Sequence, residues 1–268
     1  MNSEPSRTSQ AVALTRAGLD RPRSALGDPD AQAGLCAGLA MVPPLWLRPS
    51  IEARTRFMDD HVLAAIAGGV RQVVICGAGL DDRALRFRAS GVRFFEVDHP
   101  VTQADKAARL RDLGAPADGP VLIPCDLQTE SVAMALAAAG HDQALPTLFL
   151  CEGLLVYLDV GACERLLAEL AACAADGSTL AVTLSTYSSQ RSAAEVIADA
   201  NARRRTAATE PWRTILRVEE HLSLLAAAGW AVTATADSPA ANADVTDERR
   251  SLLVTARPAR AARDKQRG

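Results

Sequence analysis

Four short segments of this 268-residue chain set glycine and carboxylate side chains at regular intervals. Val73-Val-Ile-Cys-Gly77-Ala-Gly79-Leu-Asp81-Asp82 is an apolar run that breaks into Gly-Ala-Gly. Glycine lets a backbone turn tightly there and approach a ligand with no Cβ in the way. Phe94-Phe-Glu96-Val-Asp98 ends on carboxylates, and Asp98 stands 19 residues after Gly79. An acidic residue about 20 positions beyond such a turn is where the ribose hydroxyls of a nucleoside are held. One carboxylate accepts both hydroxyls, through charge-assisted bonds. Cys125-Asp126-Leu127 and Cys151-Glu152-Gly153 complete the set. Gly77 and Gly79 supply two positions of G-x-G-x-x-G, but Asp82 occupies the third. A pyrophosphate wants a positive, uncluttered helix N-terminus, and Asp81 with Asp82 would repel it.

The elements that must position these residues follow from hydrophobic pattern. Short apolar runs predict strands at 72–76, 93–97, 121–124, 147–151, 179–184, 231–235 and 251–256. Helical segments are predicted at 80–89, 101–113, 131–139 and 162–175, between the first five strands. That alternation gives βαβ units and a parallel sheet covered on both faces. The last two strands have no helix between them, which predicts an antiparallel hairpin joined by a polar loop at 237–250. A helix at 218–228 ends at Gly229, a C-cap. Segment 51–66 reads as an amphipathic helix leading into the first strand, and 11–19 as a shorter helix. All four glycine- and acid-bearing segments then stand at the carboxyl ends of successive strands, the ligand-binding edge of an open α/β sheet. Asp81/Asp82, Asp98, Asp126 and Glu152 converge there with little basic compensation. A ligand with an adenosine to grip and a positive centre to stabilise suits that field better than NAD. S-adenosylmethionine has both.

Composition narrows the classes. Hydrophobic residues make up 49% of the chain and aromatic ones 4%, so Ala, Leu and Val must fill the core. The net charge of -3 gives no global basic field for nucleic acid. Residues 258–268 form a basic tail, expected to be disordered and solvated. The six cysteines show neither C-x-x-C nor metal spacing, which predicts reduced thiols and a cytoplasmic protein. The polar N-terminus carries no secretory signal, and Pro43-Pro44 with two glycines interrupts the longest uncharged stretch, so no membrane span is expected.

CGAGLDDRALR, FFEVDHP, CDL and CEGLLVYL, in this order and spacing, resemble the leucine carboxyl methyltransferase family. More narrowly they resemble its bacterial branch of S-adenosylmethionine-dependent O-methyltransferases of polyketide and other secondary metabolism. Ala53-Arg-Thr-Arg-Phe-Met-Asp-Asp60 and Asp28-Pro29 extend the likeness, which covers roughly residues 10–257. The resemblance implies a class I methyltransferase, Rossmann-like α/β fold with a mostly parallel seven-stranded sheet and a C-terminal antiparallel hairpin. Residues 1–50 would form an N-terminal helical lid and 51–257 the cofactor-binding domain, with 185–217, read as helical, a substrate-lid insertion. It further implies that Gly77 lines the methionine end of the cofactor, that Gly79 also binds the cofactor and that Asp98 holds the ribose. Asp126 and Leu127 would border the adenine, and Glu152 would lie beside the methionyl portion. Arg54 would grip the cofactor carboxylate, with Arg56 the alternative if the register slips. Arg16 is the nearest basic candidate to close the site from the N-terminal helix. Asp81-Asp82-Arg83 stands where the family carries Asp-Thr-Arg.

The acceptor is less legible. His99, Tyr157 and Tyr187 are the candidate acceptor contacts; His61, His141 and His221 fall on other elements. No convincing general base emerges, which favours a carboxylate acceptor, already ionised with a reference pKa of about 4. A phenolic or hydroxyl polyketide acceptor is the alternative, followed by an NAD(P)-dependent oxidoreductase on the same fold. Asp98 and Asp126 have a purely structural reading as helix caps. The acceptor is expected to be a small or peptide-like molecule, with neither nucleic acid, membrane nor metal involved.

Overall fold

The structure, a computed structural model, describes residues 5–204, 206, 208–238 and 249–259. The basic tail beyond 259 and most of the 237–250 loop lie outside these residues. Seven strands form one sheet: β1 (Gln72–Cys76), β2 (Arg93–Asp98), β3 (Val121–Pro124), β4 (Thr147–Cys151), β5 (Thr179–Tyr187), β6 (Trp230–Ser238) and β7 (Arg249–Pro258). Their order across the sheet is β3-β2-β1-β4-β5-β7-β6. The first five pair in parallel, as expected. β6 and β7 pair antiparallel, as the hairpin predicts, but β7 inserts between β5 and β6 and is the single reversed strand. The order switches direction between β1 and β4, so the crevice above their carboxyl ends is the ligand-binding position of an open sheet.

In β1 and β4 successive residues alternate between two buried faces, which is why these runs are almost continuously apolar. Val73 and Ile75 of β1, with Leu148 and Leu150 of β4, pack on Met58 and Val62 of α3 (Arg48–Ala67). Val74, Cys76, Phe149 and Cys151 face the other way, with Leu136 of α6 (Val132–Ala138) and Leu166, Leu167 and Leu170 of α7 (Val160–Ala172). The Trp230 indole, 1% exposed, donates to the Leu167 carbonyl at 2.9 Å and closes this second core. Ser131 caps α6 and Asp159 caps α7, each accepting a backbone N–H of the first turn. All six cysteines are free and buried. No helix among the described residues is long and apolar enough to cross a membrane.

Two expectations are corrected. The helix predicted at 80–89 shrinks to α4 (Arg83–Arg86). The carbonyls of Leu85 and Arg86, which a longer helix would use internally, instead accept Asp28 and Ser24 N–H at 3.1 Å each. The 185–217 stretch is only partly helical. β5 runs through Tyr187, paired with Arg249, and α8 (Ala193–Ala202) follows with a Ser192/Glu195 capping box. The described residues between α8 and α9 (Val218–Ala227) form no further helix, and Asn201 brackets the Trp212 backbone with two hydrogen bonds. At the N-terminus α1 (Arg7–Ala17) and α2 (Ala31–Leu35) lie beside α3 and α5 (Pro100–Asp112).

Candidate active site

A cavity of about 590 Å3 opens over the carboxyl ends of β1, β2 and β4. The turn after β1 forms its floor. Gly77 has φ +67° and Gly79 φ +51°, a region that L side chains rarely adopt. A Cβ at Gly77 would lie 2.9 Å from Leu154 Cδ1, and one at Gly79 would lie 2.7 Å from Ser9 Cβ of α1. The turn is therefore a cradle that a side chain would fill, and α1 packs directly against it. Lys106 of α5 steadies the turn from below: its Nζ donates to the Asp81 carbonyl at 2.6 Å and pairs with Glu96. Burial pushes the Glu96 carboxyl up to about 7 against the pull of Lys106.

Asp98 ends β2 at one side of the cavity. Its Oδ2 accepts the Gly79 N–H at 2.6 Å and its Oδ1 the His99 N–H at 2.6 Å. Burial raises the Asp98 carboxyl, and these two backbone donors oppose the rise. Each oxygen retains a second acceptor position. His99 lines the cavity too, but its Nδ1 accepts the Val101 N–H at 3.3 Å and caps α5. Asp126 lines the cavity and closes its own turn, accepting the Gln128 N–H at 3.0 Å and the Thr129 hydroxyl at 3.1 Å.

The opposite side is a buried ion network. The Glu152 side chain, 5% exposed, receives Arg16 Nη2 at 3.0 Å, Arg54 Nε at 2.9 Å and Arg83 Nη1 at 2.8 Å. Burial alone would raise its carboxyl; Arg16, Arg83 and Arg54 overcome that and hold it well below the usual range. Arg16 also reaches Asp81 at 3.2 Å, and Arg83 pairs with Asp81 and with Asp59 at 2.7 Å. Arg21 bridges Asp59 at 2.8 Å and Asp82 at 2.7 Å, and Arg86 holds the other Asp82 oxygen at 2.7 Å. Asp81 and Asp82 are thus neutralised within the protein. This corrects the expectation of an acidic site with little basic compensation. Arg54 spends only its Nε on Glu152; among the described residues its two terminal nitrogens have no hydrogen-bond partner, and they lie beside Gly153 at the cavity wall.

The structure brings together Arg16, Arg54, Gly77, Gly79, Asp98, His99, Asp126, Glu152 and Tyr157 from the sequence-derived set. Three members fall elsewhere. Arg56 is exposed and pairs with Glu52 one turn away, so Arg54 is the arginine that faces the cavity. The Leu127 side chain is buried in the core, and Gln128 lines the cavity in its place. Tyr187 is buried with Val156, Val196 and Ile215 beneath Arg217, away from the lining residues. Sequence reasoning missed Thr8, Ser9 and Val12 of α1 and Thr209, Glu210, Pro211 and Arg213 from the segment after α8, all of which line the cavity. No motif marks these residues; only the approach of the two non-sheet segments reveals them.

This strand order, single reversed strand and cavity define a class I methyltransferase fold. A Thermobifida fusca protein provisionally described as a methyltransferase superposes with a TM-score of 0.58 at 16% identity, covering 96% of both chains. The magnesium protoporphyrin IX methyltransferase of Synechocystis, solved with bound SAH, gives 0.53 at 13% identity, covering 85% of this chain and 92% of its own. Within that fold, residues 11–171 match the leucine carboxyl methyltransferase family, and the chain belongs to it. A provisionally named S-adenosyl-L-methionine-dependent methyltransferase of Frankia alni is 47% identical over 139 residues, 51% of this chain and 48% of the relative. One from Streptomyces coelicolor is 47% identical over 137 residues, 50% and 48% of the two chains. The chain spans about half the length of these curated relatives.

Proposed function

We propose that the protein is an S-adenosylmethionine-dependent O-methyltransferase that esterifies a carboxylate of a small-molecule or peptide-like acceptor. One observation carries the reading. Asp98 on the Gly77–Gly79 turn and the Arg16–Arg54–Glu152 cluster stand at two sides of a single cavity. The cavity falls within the roughly 300–1,000 Å3 typical of cofactor sites. The glycine cradle supports close approach of a ligand backbone, and family membership supports the identity of that ligand. Asp98 would accept the ribose hydroxyls with its remaining lone pairs. Asp126 would meet the adenine amine, and the free Arg54 nitrogens the cofactor carboxylate, while Glu152 keeps Arg54 in place.

When bound, the cofactor supplies a methyl group on a positively charged sulfur, an electrophile with an excellent leaving group. The chain then has to orient the acceptor oxygen in line and exclude water. Its cavity-lining histidine is committed to capping α5, and Tyr157 faces Arg204. A carboxylate needs no base at neutral pH, and a phenol, with a pKa near 10, does. That difference supports the carboxylate reading. Residues 1–50 and 185–217 would select the acceptor, since both contribute cavity walls. The likeness to the bacterial branch supports a place in secondary metabolism. Six free thiols support a reducing, cytoplasmic setting. The test is methyl-labelled cofactor incubated with aliphatic, aromatic and peptide acids. Base-labile labelled esters are expected; exclusively base-stable ethers would move the assignment to hydroxyl acceptors.

A further inference from the structure

Two parts of the chain outside the sheet meet at the cavity. α1 brings Thr8 to its lining, and the described residues after α8 bring Glu210 beside it. A single oxygen of Glu210, Oε2, accepts both the Thr8 backbone N–H, at 3.1 Å, and the Thr8 hydroxyl. The two residues are 202 positions apart. The first N–H groups of a helix lack partners within it, and negative charge is favoured at that end. Glu210 therefore supplies, from a distant part of the sequence, a charge and an acceptor to the start of α1. Its own backbone is anchored, because Glu210 N–H donates to the Thr206 carbonyl at 2.7 Å and Arg204 donates to the Glu210 carbonyl at 2.9 Å.

What α1 carries explains why this contact matters. Near its start, Ser9 sits against Gly79 so closely that no Cβ fits between them. Near its end, Arg16 reaches Glu152 and Asp81. The helix thus spans the glycine floor, held near its end by Arg16, in its middle by Ala13 packed with Cys36 and Leu80, and near its start by the Thr8–Glu210 contact among others. Arg16 lies in a buried network with several partners and Ala13 in a buried apolar cluster, whereas the Thr8–Glu210 contact is half-buried. That contact is the one that can open while the buried ones hold.

We infer that Glu210 is a positioning residue, a clasp that holds α1 closed over the cavity and whose release sets the rate of cofactor and product exchange. This rests on the methyltransferase reading above for the identity of the exchanged ligand. It adds a role for a residue that touches neither the glycine turn nor the Glu152 cluster. The carboxylate is required as an acceptor more than as a charge, so Gln can replace it and Ala cannot.

The experiment measures S-adenosylhomocysteine dissociation by stopped-flow for the wild type, Glu210→Ala, Glu210→Gln and Thr8→Val. It also measures amide hydrogen exchange at the start of α1 in the ligand-free proteins. Glu210→Ala is expected to release the ligand at least tenfold faster and to raise exchange at residues 8–10. Glu210→Gln should stay within threefold of wild type on both readouts, and Thr8→Val, which keeps the backbone donor, should fall between. A role confined to global stability would lower the melting temperature of the Ala variant without this ordering of rates. Unchanged release from both Glu210→Ala and Thr8→Val overturns the clasp. So does unchanged α1 exchange in Glu210→Ala, whether or not the ligand binds. Failure of the wild type to bind S-adenosylhomocysteine, with α1 exchange still responding to Glu210→Ala, would leave the clasp and remove the cofactor reading.

Discussion

Replacing Glu152 by Gln leaves three guanidinium groups around a neutral amide. The wild-type side chain is 5% exposed and lies 3.0 Å from Arg16, 2.9 Å from Arg54 and 2.8 Å from Arg83. Removing one partner of a buried ion pair costs about 3–5 kcal/mol, because the remaining charge stays desolvated. Arg16 keeps Asp81, and Arg83 keeps Asp81 and Asp59. The lower end of that range, about 3 kcal/mol, is therefore expected. In a chain of this size each kcal/mol moves Tm by ~2–4 °C, so the variant should melt about 6–12 °C lower at pH 7.5. The Glu152 carboxyl is held below its ordinary value of 4.5 in the folded protein. Its contribution is then complete above that ordinary value and lost as pH falls through the folded one. The gap between wild type and variant should stay constant from about pH 8 to 6 and narrow in acid. Calorimetric melting from pH 8 down through the acid range below the ordinary carboxyl value reads both effects. A variant that melts within about 2 °C of wild type at pH 7.5, or a gap that widens in acid, would refute the ion network as drawn.

Other substitutions separate the parts of the site. Asp98→Ala removes the acceptor of the Gly79 and His99 N–H groups and, on the proposed reading, of both ribose hydroxyls. With charge-assisted bonds worth about 1.5–3 kcal/mol each, S-adenosylhomocysteine should bind about 100-fold or more weakly by calorimetry; a loss within threefold contradicts the assignment. Gly79→Ala places a Cβ at φ +51° and against Ser9, costing about 1–2 kcal/mol in the backbone alone. Faster proteolysis at the N-terminus and weaker ligand binding should result, and wild-type behaviour in both would count against the packing of α1 on the turn. Arg54→Gln should weaken binding by about tenfold, as expected for one lost charged hydrogen bond. Arg56→Gln should be silent, because its exposed pair with Glu52 is worth at most a few tenths of a kcal/mol. Equal effects of the two would invalidate the choice of Arg54.

β1 and β4 were the most legible because they are buried along their whole length and read as near-continuous apolar runs; both coincide with their predicted bounds. The hairpin was legible from the missing helix. The insertion of β7 beside β5 was not, since it depends on pairing between distant residues such as Val182 and Val254. Local pattern also overstated α4, whose carbonyls are taken by residues 24 and 28. The glycine turn, Asp98, Asp126 and Glu152 stood out because each ends a strand. Arg21, which neutralises Asp82 from 61 residues away, did not, and Arg16, 65 residues from Asp81, was reached only through the family resemblance. Tyr187 was misplaced for a related reason. Extension of β5 turns its ring into a small cluster with α8 instead of toward the cavity.

The account rests on what the cavity holds, and thermal shift of the full chain with S-adenosylhomocysteine and, separately, NAD tests that most directly. A ligand that binds only the folded state adds about 2.7 kcal/mol at 100 times its Kd. S-adenosylhomocysteine should therefore raise Tm by roughly 5–10 °C at saturation, while NAD at the same concentration should leave it unmoved. A shift with NAD alone, or none with S-adenosylhomocysteine, would contradict it.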